Sequence, residues 1–205
     1  MKIVFLGVGE AFDENQPNNY LIVSTQKTNL LLDCGYGVPY QLWKYNSDQN
    51  LLDAIYISHN HADHYFGLPI LLMRMWEEKR EKPITIISQK GSKELFNNLM
   101  NVYAYPGFSE KFNFKIKFIE VIEAEKIQFN DLELSFAPTI HSGKNLAIKV
   151  TNSNRTICYS GDGMFSEKTE NLYKNSDLVV QEAYLYDEKR SGHGPEDSVE
   201  GCDLV

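Results

Sequence analysis

Ala54-Ile55-Tyr56-Ile57-Ser58-His59-Asn60-His61-Ala62-Asp63-His64 is the stretch on which the reading of this chain turns. Four apolar residues make a short strand, and four side chains with metal-binding lone pairs follow it at once. Three of the chain's 5 histidines lie here, which makes incidental histidines in a polar loop the poorer reading. At a strand end, residues two apart point the same way, so His59 and His61 can face one ion. Once the chain turns, Asp63 and His64 escape that alternation and can reach a second ion nearby. Two adjacent ions activate a water and clamp both oxygens of a hydrolytic displacement.

Outward from this corner the pattern is mixed α/β. Lys2 to Gly7, Tyr20 to Ser24 and Asn29 to Asp33 are apolar runs bounded by turn residues and predict strands. Val38 to Tyr45 predicts a helix. Pro69 to Lys82 predicts a second, opened by Pro69 and stopped by Pro83. Ile84 to Ile87 reads as a strand, and Ser92 as the cap of a helix running to about Tyr103. The pattern then becomes extended: Phe114 to Ile119, Ile127 to Phe129, Leu132 to Phe136, Leu146 to Val150 and Thr156 to Tyr159. Asn130-Asp131 and Asn152-Ser-Asn mark turns. Ser166 to Lys174 predicts a short helix and Leu178 to Gln181 a last strand. With no repeat and no linker, 205 residues predict a single domain over 1–205.

The net charge of -8 and pI near 5.2 supply no field for a large polyanion. Met1 to Leu6 is too short an apolar core for a secretory signal, and no run reaches the length of a membrane span. Cys34, Cys158 and Cys202 are widely spaced, with no Cys-x-x-Cys pair, and read as reduced thiols of a cytoplasmic protein. Lys111, Lys115 and Lys117 interleave with Phe112, Phe114 and Phe118. That alternation suits a phosphate-rich ligand or, more simply, a half-exposed strand.

Two further ligand candidates stand at strand ends beside glycine: His141 in Pro138-Thr-Ile-His-Ser-Gly, and Asp162 in Tyr159-Ser-Gly-Asp-Gly. Alone, the first reads as a loop histidine and the second as a turn aspartate; the upstream cluster makes both ligand candidates. With these residues the chain resembles the metallo-β-lactamase superfamily, and within it the ribonuclease Z-like metal-dependent hydrolases. Phe5-Leu-Gly-Val-Gly, Asn19-Tyr-Leu-Ile, Leu32-Asp-Cys-Gly and Gly67-Leu-Pro carry the resemblance over nearly the whole chain. It implies a four-layer αββα sandwich. It also implies two divalent ions, zinc by analogy: His59, His61 and His141 on the first, Asp63 and His64 on the second, Asp162 bridging.

The resemblance implies a general-acid pair as well. Gln181-Glu-Ala-Tyr is similar to the family's His-Glu-Ala-Thr and Ser191-Gly-His-Gly to its Gly-His-Ser-Thr, which maps the pair onto Glu182 and His193. A carboxylate beside an imidazole raises its pKa and makes it a competent acid. Asp63, Glu182 and His193 are therefore the catalytic candidates. Asp33 matches a carboxylate that lies near the metals in relatives, where it can orient a ligand histidine; a strand-end turn is the other reading.

Two departures bear on activity. Ribonuclease Z enzymes carry a long tRNA-gripping arm between the positions of His141 and Asp162, which here are too close for one. The family's last strand supplies a further histidine to the second ion, and this chain reaches Val205 without it. Pro195 and Glu196 to Leu204 read as a helix start, so the expectation is a C-terminally short fold with a weakly held second ion. The expected function is hydrolysis of a phosphodiester, small or in a short nucleic acid, by a metal-bound hydroxide, with no membrane partner and a homodimer by analogy. Ester or lactone hydrolysis is the enzymatic alternative. A metal-poor, catalytically weak binding or structural domain is the alternative of another class.

Overall fold

A computed structural model describes residues 1–183 of the chain. The expectations for His193, Cys202 and the helix start at 196–204 lie outside the described residues. Contacts divide the described residues into two compact units, one of Lys2–Ser24 with Thr28–Glu120, the other of Met1 and Thr25–Lys27 with the described residues from Val121.

The first unit is built on a six-stranded sheet in sequence order: β1 (Lys2–Gly7), β2 (Tyr20–Ser24), β3 (Asn29–Leu32), β4 (Ala54–Ile57), β5 (Ile84–Gln89) and β6 (Ile116–Val121). β1, β2 and β3 are antiparallel neighbours, whereas β3, β4 and β5 run parallel. Parallel strands need crossover helices, and α1 (Val38–Tyr45) and α3 (Leu68–Glu77) supply them. This arrangement explains why β4 is apolar at every position: all four residues are buried. Leu68, Leu71, Leu72 and Met75 of α3 pack with Leu42 of α1 and with Ile55 and Ile57 of β4.

Three sequence expectations shift. The helix expected over Pro69 to Lys82 ends at Glu77, ahead of Pro83. Lys79 turns left-handed at φ 61 and Arg80 swings into the interior with no exposed surface. Its guanidinium donates to the carbonyls of Leu52 (2.8 Å), Lys82 (2.6 Å), Pro83 (2.9 Å) and Gln49. A buried cation must be hydrogen-bonded, and a straight helix would carry Arg80 away from these acceptors. Burial pulls its pKa down to about 10, against the opposing pull of Asp53 and Asp48, so it stays charged at neutral pH. The cap of α4 (Ser92–Asn98) is Gly91, in the left-handed region at φ 96; Ser92 is the first helical residue. The chain widens into a π-turn over Leu99–Ala104. Asn29 to Asp33 loses its final residue from the strand, because Asp33 turns left-handed at φ 65.

The second unit holds a five-stranded sheet in the order β11-β10-β9-β8-β7. Its strands are β7 (Lys126–Phe129), β8 (Leu132–Pro138), β9 (Leu146–Thr151), β10 (Thr156–Tyr159) and β11 (Leu178–Val180). The first four are antiparallel. β11 returns parallel to β10 after α5 (Glu167–Tyr173). Ser166 caps α5 in a reciprocal box with Thr169, as its place ahead of the acidic first turn predicts. Asn152 Oδ1 accepts from the N–H groups of Asn154 (3.0 Å) and Arg155 (2.8 Å) and closes the expected turn. No helix among the described residues is long and apolar enough to cross a membrane. The mixed α/β class with two sheets matches the sequence expectation.

Candidate metal centre

β3 and β4 are parallel neighbours, with Leu32 opposite Tyr56, so the segments that follow them leave the sheet side by side. Asp33 N–H still donates to Tyr56 O at 2.8 Å before the chain turns. The turn aims a fully buried carboxylate across at the neighbouring segment. Its Oδ1 accepts from Ser58 N–H at 2.7 Å. Its Oδ2 accepts from Ser58 Oγ at 2.9 Å and lies 2.7 Å from His64 Nδ1. Asp33 therefore makes the strand-end turn, and the turn is what delivers its carboxylate to His64.

Glycines permit the close passage. A Cβ on Gly35 would fall 1.6 Å from Asp63 O, and one on Gly67 would fall 2.1 Å from Gly35 O. Backbone bonds from Cys34 N–H to His64 O and from Gly67 N–H to Cys34 O, both 2.8 Å, fasten the two segments. His61 opens the short helix α2 (Ala62–Tyr65) from an extended conformation, which lifts Asp63 and His64 off the strand alternation as expected. The His59 ring centroid is 4.5 Å from that of His61 and 4.3 Å from that of His64. His59 and His64 are buried, Asp63 is half-buried and His61 is exposed. His64 Nε2 faces Asp63 Oδ2 at 3.2 Å. Asn60 Nδ2 donates to Ser92 Oγ at 3.3 Å and tethers the motif's intervening residue.

In the second unit, His141 follows β8 and Asp162 follows β10. Ile140 and Met164 form an isolated antiparallel bridge between the two loops. Thr139 Oγ1 donates to Asp162 O (2.7 Å), and Asn145 Nδ2 donates to Thr139 Oγ1 (2.7 Å) and to Ser160 O (2.8 Å). Gly163 sits at φ 117 against Thr139, where a Cβ would lie 2.4 Å from Oγ1. The Glu182 carboxylate accepts from Gly163 N–H, and Glu182 N–H donates to Ser160 Oγ at 2.9 Å. Gln181 Nε2 donates to Gly163 O at 2.9 Å, and its Oε1 accepts from Tyr173 OH at 3.0 Å. Glu182 is thus bonded to the loop that bears Asp162. Its expected partner His193 is not among the described residues.

Two sets of donor atoms result. His59, His61, His141 and Asp162 each offer one atom within 4.8 Å of the others, and Asp63, His64 and Asp162 form a second set on the same criterion. Nitrogen and carboxylate donors at this density suit a divalent metal ion. Every ligand candidate from the sequence falls in one set or the other, with Asp162 in both. Sequence reasoning passed over Ser58, Thr139 and Asn145, whose supporting bonds no spacing announces.

The family described as anti-Pycsar protein Apyc1 matches residues 1–199. The chain belongs to this family. Among curated relatives, ribonuclease Z of Methanosarcina mazei is 28% identical over 156 residues, covering 76% of this chain and 50% of that protein. The chain thus spans about half the length of this relative. Two solved structures share the fold. The metallo-β-lactamase fold protein YhfI from Bacillus subtilis has TM-score 0.79 at 21% identity, covering 96% of this chain and 78% of that one. Human tRNase Z, short form, has TM-score 0.79 at 22% identity, covering 97% and 86%. The fold is the metallo-β-lactamase fold, and the chain is similar in sequence to ribonuclease Z, the resemblance that the residues at the first corner led us to expect.

Proposed function

We propose that this chain hydrolyses a phosphodiester with the help of two zinc ions. The observation that carries the reading is the pair of donor sets sharing Asp162. His59, His61 and His141 would hold one ion and Asp63 and His64 the other, with Asp162 common to both. Bound ions of this kind supply Lewis acidity and neutralise the charge that gathers on phosphate oxygens.

The chain's own residues do the rest. An ionised Asp33 can only accept, so His64 donates its Nδ1–H to it and turns Nε2 towards a ligand role. Glu182 steadies the Asp162 loop through Gly163 N–H and, paired with His193, would make that imidazole the acid that protonates the departing oxygen. The relatives named ribonuclease Z support a phosphodiester as the bond cleaved, and a small diester or a short nucleic acid as its carrier. Buried thiols at Cys34 and Cys158 suit a reducing compartment such as the cytoplasm.

Elemental analysis of the purified chain, followed by assay of bis(4-nitrophenyl) phosphate against a lactone, tests the reading. Two zincs per chain and zinc-dependent cleavage of the diester are expected. Lactone cleavage alone would move the activity to the carboxylic-ester class. Absence of both metal and turnover would leave a binding domain.

A further inference from the structure

We infer that Ser58 is a positioning residue that couples the two donor sets, its hydroxyl carrying the hydrogen-bond polarity of Asp33 on to His59. The inference rests on the metal-site reading and adds to it a device inside the first unit.

Ser58, Asp33, His59 and His64 are all buried, and their contacts form one chain. His64 Nδ1 lies 2.7 Å from Asp33 Oδ2, Ser58 Oγ lies 2.9 Å from the same oxygen, and His59 Nδ1 lies 3.1 Å from Ser58 Oγ. An ionised carboxylate only accepts. His64 must therefore carry its proton on Nδ1, and the single hydroxyl proton of Ser58 must point at Asp33. That leaves Ser58 Oγ as an acceptor towards His59, so His59 also carries its proton on Nδ1. Nε2 of each imidazole then faces the donor atoms, that of His64 beside Asp63 Oδ2 at 3.2 Å, and His59 belongs to one donor set while His64 belongs to the other. One carboxylate thus sets the tautomer of a ligand in each set, directly for His64 and through a serine for His59.

The direction of the relay can be reversed by one atom. In Asp33→Asn, Oδ1 still accepts Ser58 N–H, and the amide Nδ2 replaces the oxygen that faces both Ser58 and His64. A donor there turns His64 to its other tautomer. It also makes Ser58 Oγ an acceptor, whose proton then points at His59 Nδ1 and turns that ring as well. Asn accepts the left-handed φ of 65 at this position, so the backbone need not change.

The test is imidazole nitrogen NMR on the full chain after chelation, paired with zinc titration by calorimetry. Wild type should show a proton on Nδ1 of both His59 and His64. Ser58→Ala should free the His59 tautomer, leave His64 unchanged and weaken one zinc by about 10- to 100-fold, the usual effect of losing an outer-shell partner. Asp33→Asn should invert both rings and weaken both zincs, and Ser58→Thr should restore the wild-type pattern. An Nε2–H tautomer at His59 in wild type overturns the coupling, as does Asp33→Asn inverting His64 alone. His59→Ala separates the two claims. If it keeps full zinc content the metal reading fails; if it loses zinc while Ser58→Ala binds as wild type, the coupling fails.

Discussion

Asp33 Oδ2 and His64 Nδ1 lie 2.7 Å apart with both side chains almost fully buried, and the pair joins the turn after β3 to the metal motif after β4. Asp33 also accepts two bonds from Ser58, so Asp33→Ala strands three donors at once. Removing one partner of a buried, hydrogen-bonded pair costs about 3 kcal/mol. Urea unfolding of the chelated protein should show a fall of that order, with zinc affinity reduced as well. An unchanged midpoint would mean that the pair contributes nothing to folding.

Gly35→Ala should be worse for the site than for the fold. The added Cβ would fall 1.6 Å from Asp63 O, so the motif segment must retreat. Zinc analysis of the soluble variant should find less than one ion per chain. Two ions would show that the segment moves without disturbing its ligands.

Arg80→Leu is expected to lower stability and spare chemistry. Four carbonyls, of Gln49, Leu52, Lys82 and Pro83, lose their donor in the interior. Buried acceptors left unsatisfied cost about 1 to 3 kcal/mol each at the upper end, softened here by relaxation. Thermal unfolding should drop by several degrees, while kcat per bound zinc stays at the wild-type value.

Glu182→Gln and His193→Ala should each slow diester turnover by about 100-fold or more, the ordinary contribution of general acid catalysis. The amide at 182 can still accept from Gly163 N–H, so zinc content should hold in that variant. Losses under about tenfold in both variants would remove the relay from the reading.

Asp177 supplies a pH signature. The Thr156 N–H and then the Arg155 guanidinium hold its carboxyl below the usual carboxylate range. A depressed folded-state pKa gives stability that is present above the unfolded value, near 4, and is lost as pH falls through the folded value. Asp177→Asn should therefore flatten the acid limb of the stability curve below about pH 4 and leave it parallel at neutral pH. A limb identical to wild type would contradict the assignment.

Local chemistry was legible where it was self-contained. The helix Val38–Tyr45 and the strands at Tyr20–Ser24 and Thr156–Tyr159 follow from apolar pattern and punctuation, and appear with the bounds expected. The Ser166 cap needs nothing beyond its own turn. Pro83 misled as a helix stop, because the stop is made by Arg80 reaching carbonyls up to thirty-one positions away in the chain.

By itself the sequence determined the candidate ligand types and their delivery from strand ends, because a period of two and a following turn are properties of the local backbone. It also carried the family resemblance, through the motif at His59 to His64. Only the tertiary structure decided which proton each buried histidine keeps. That depends on Asp33 and Ser58, twenty-five positions apart, meeting where β3 and β4 run side by side, and on a buried carboxylate that can only accept.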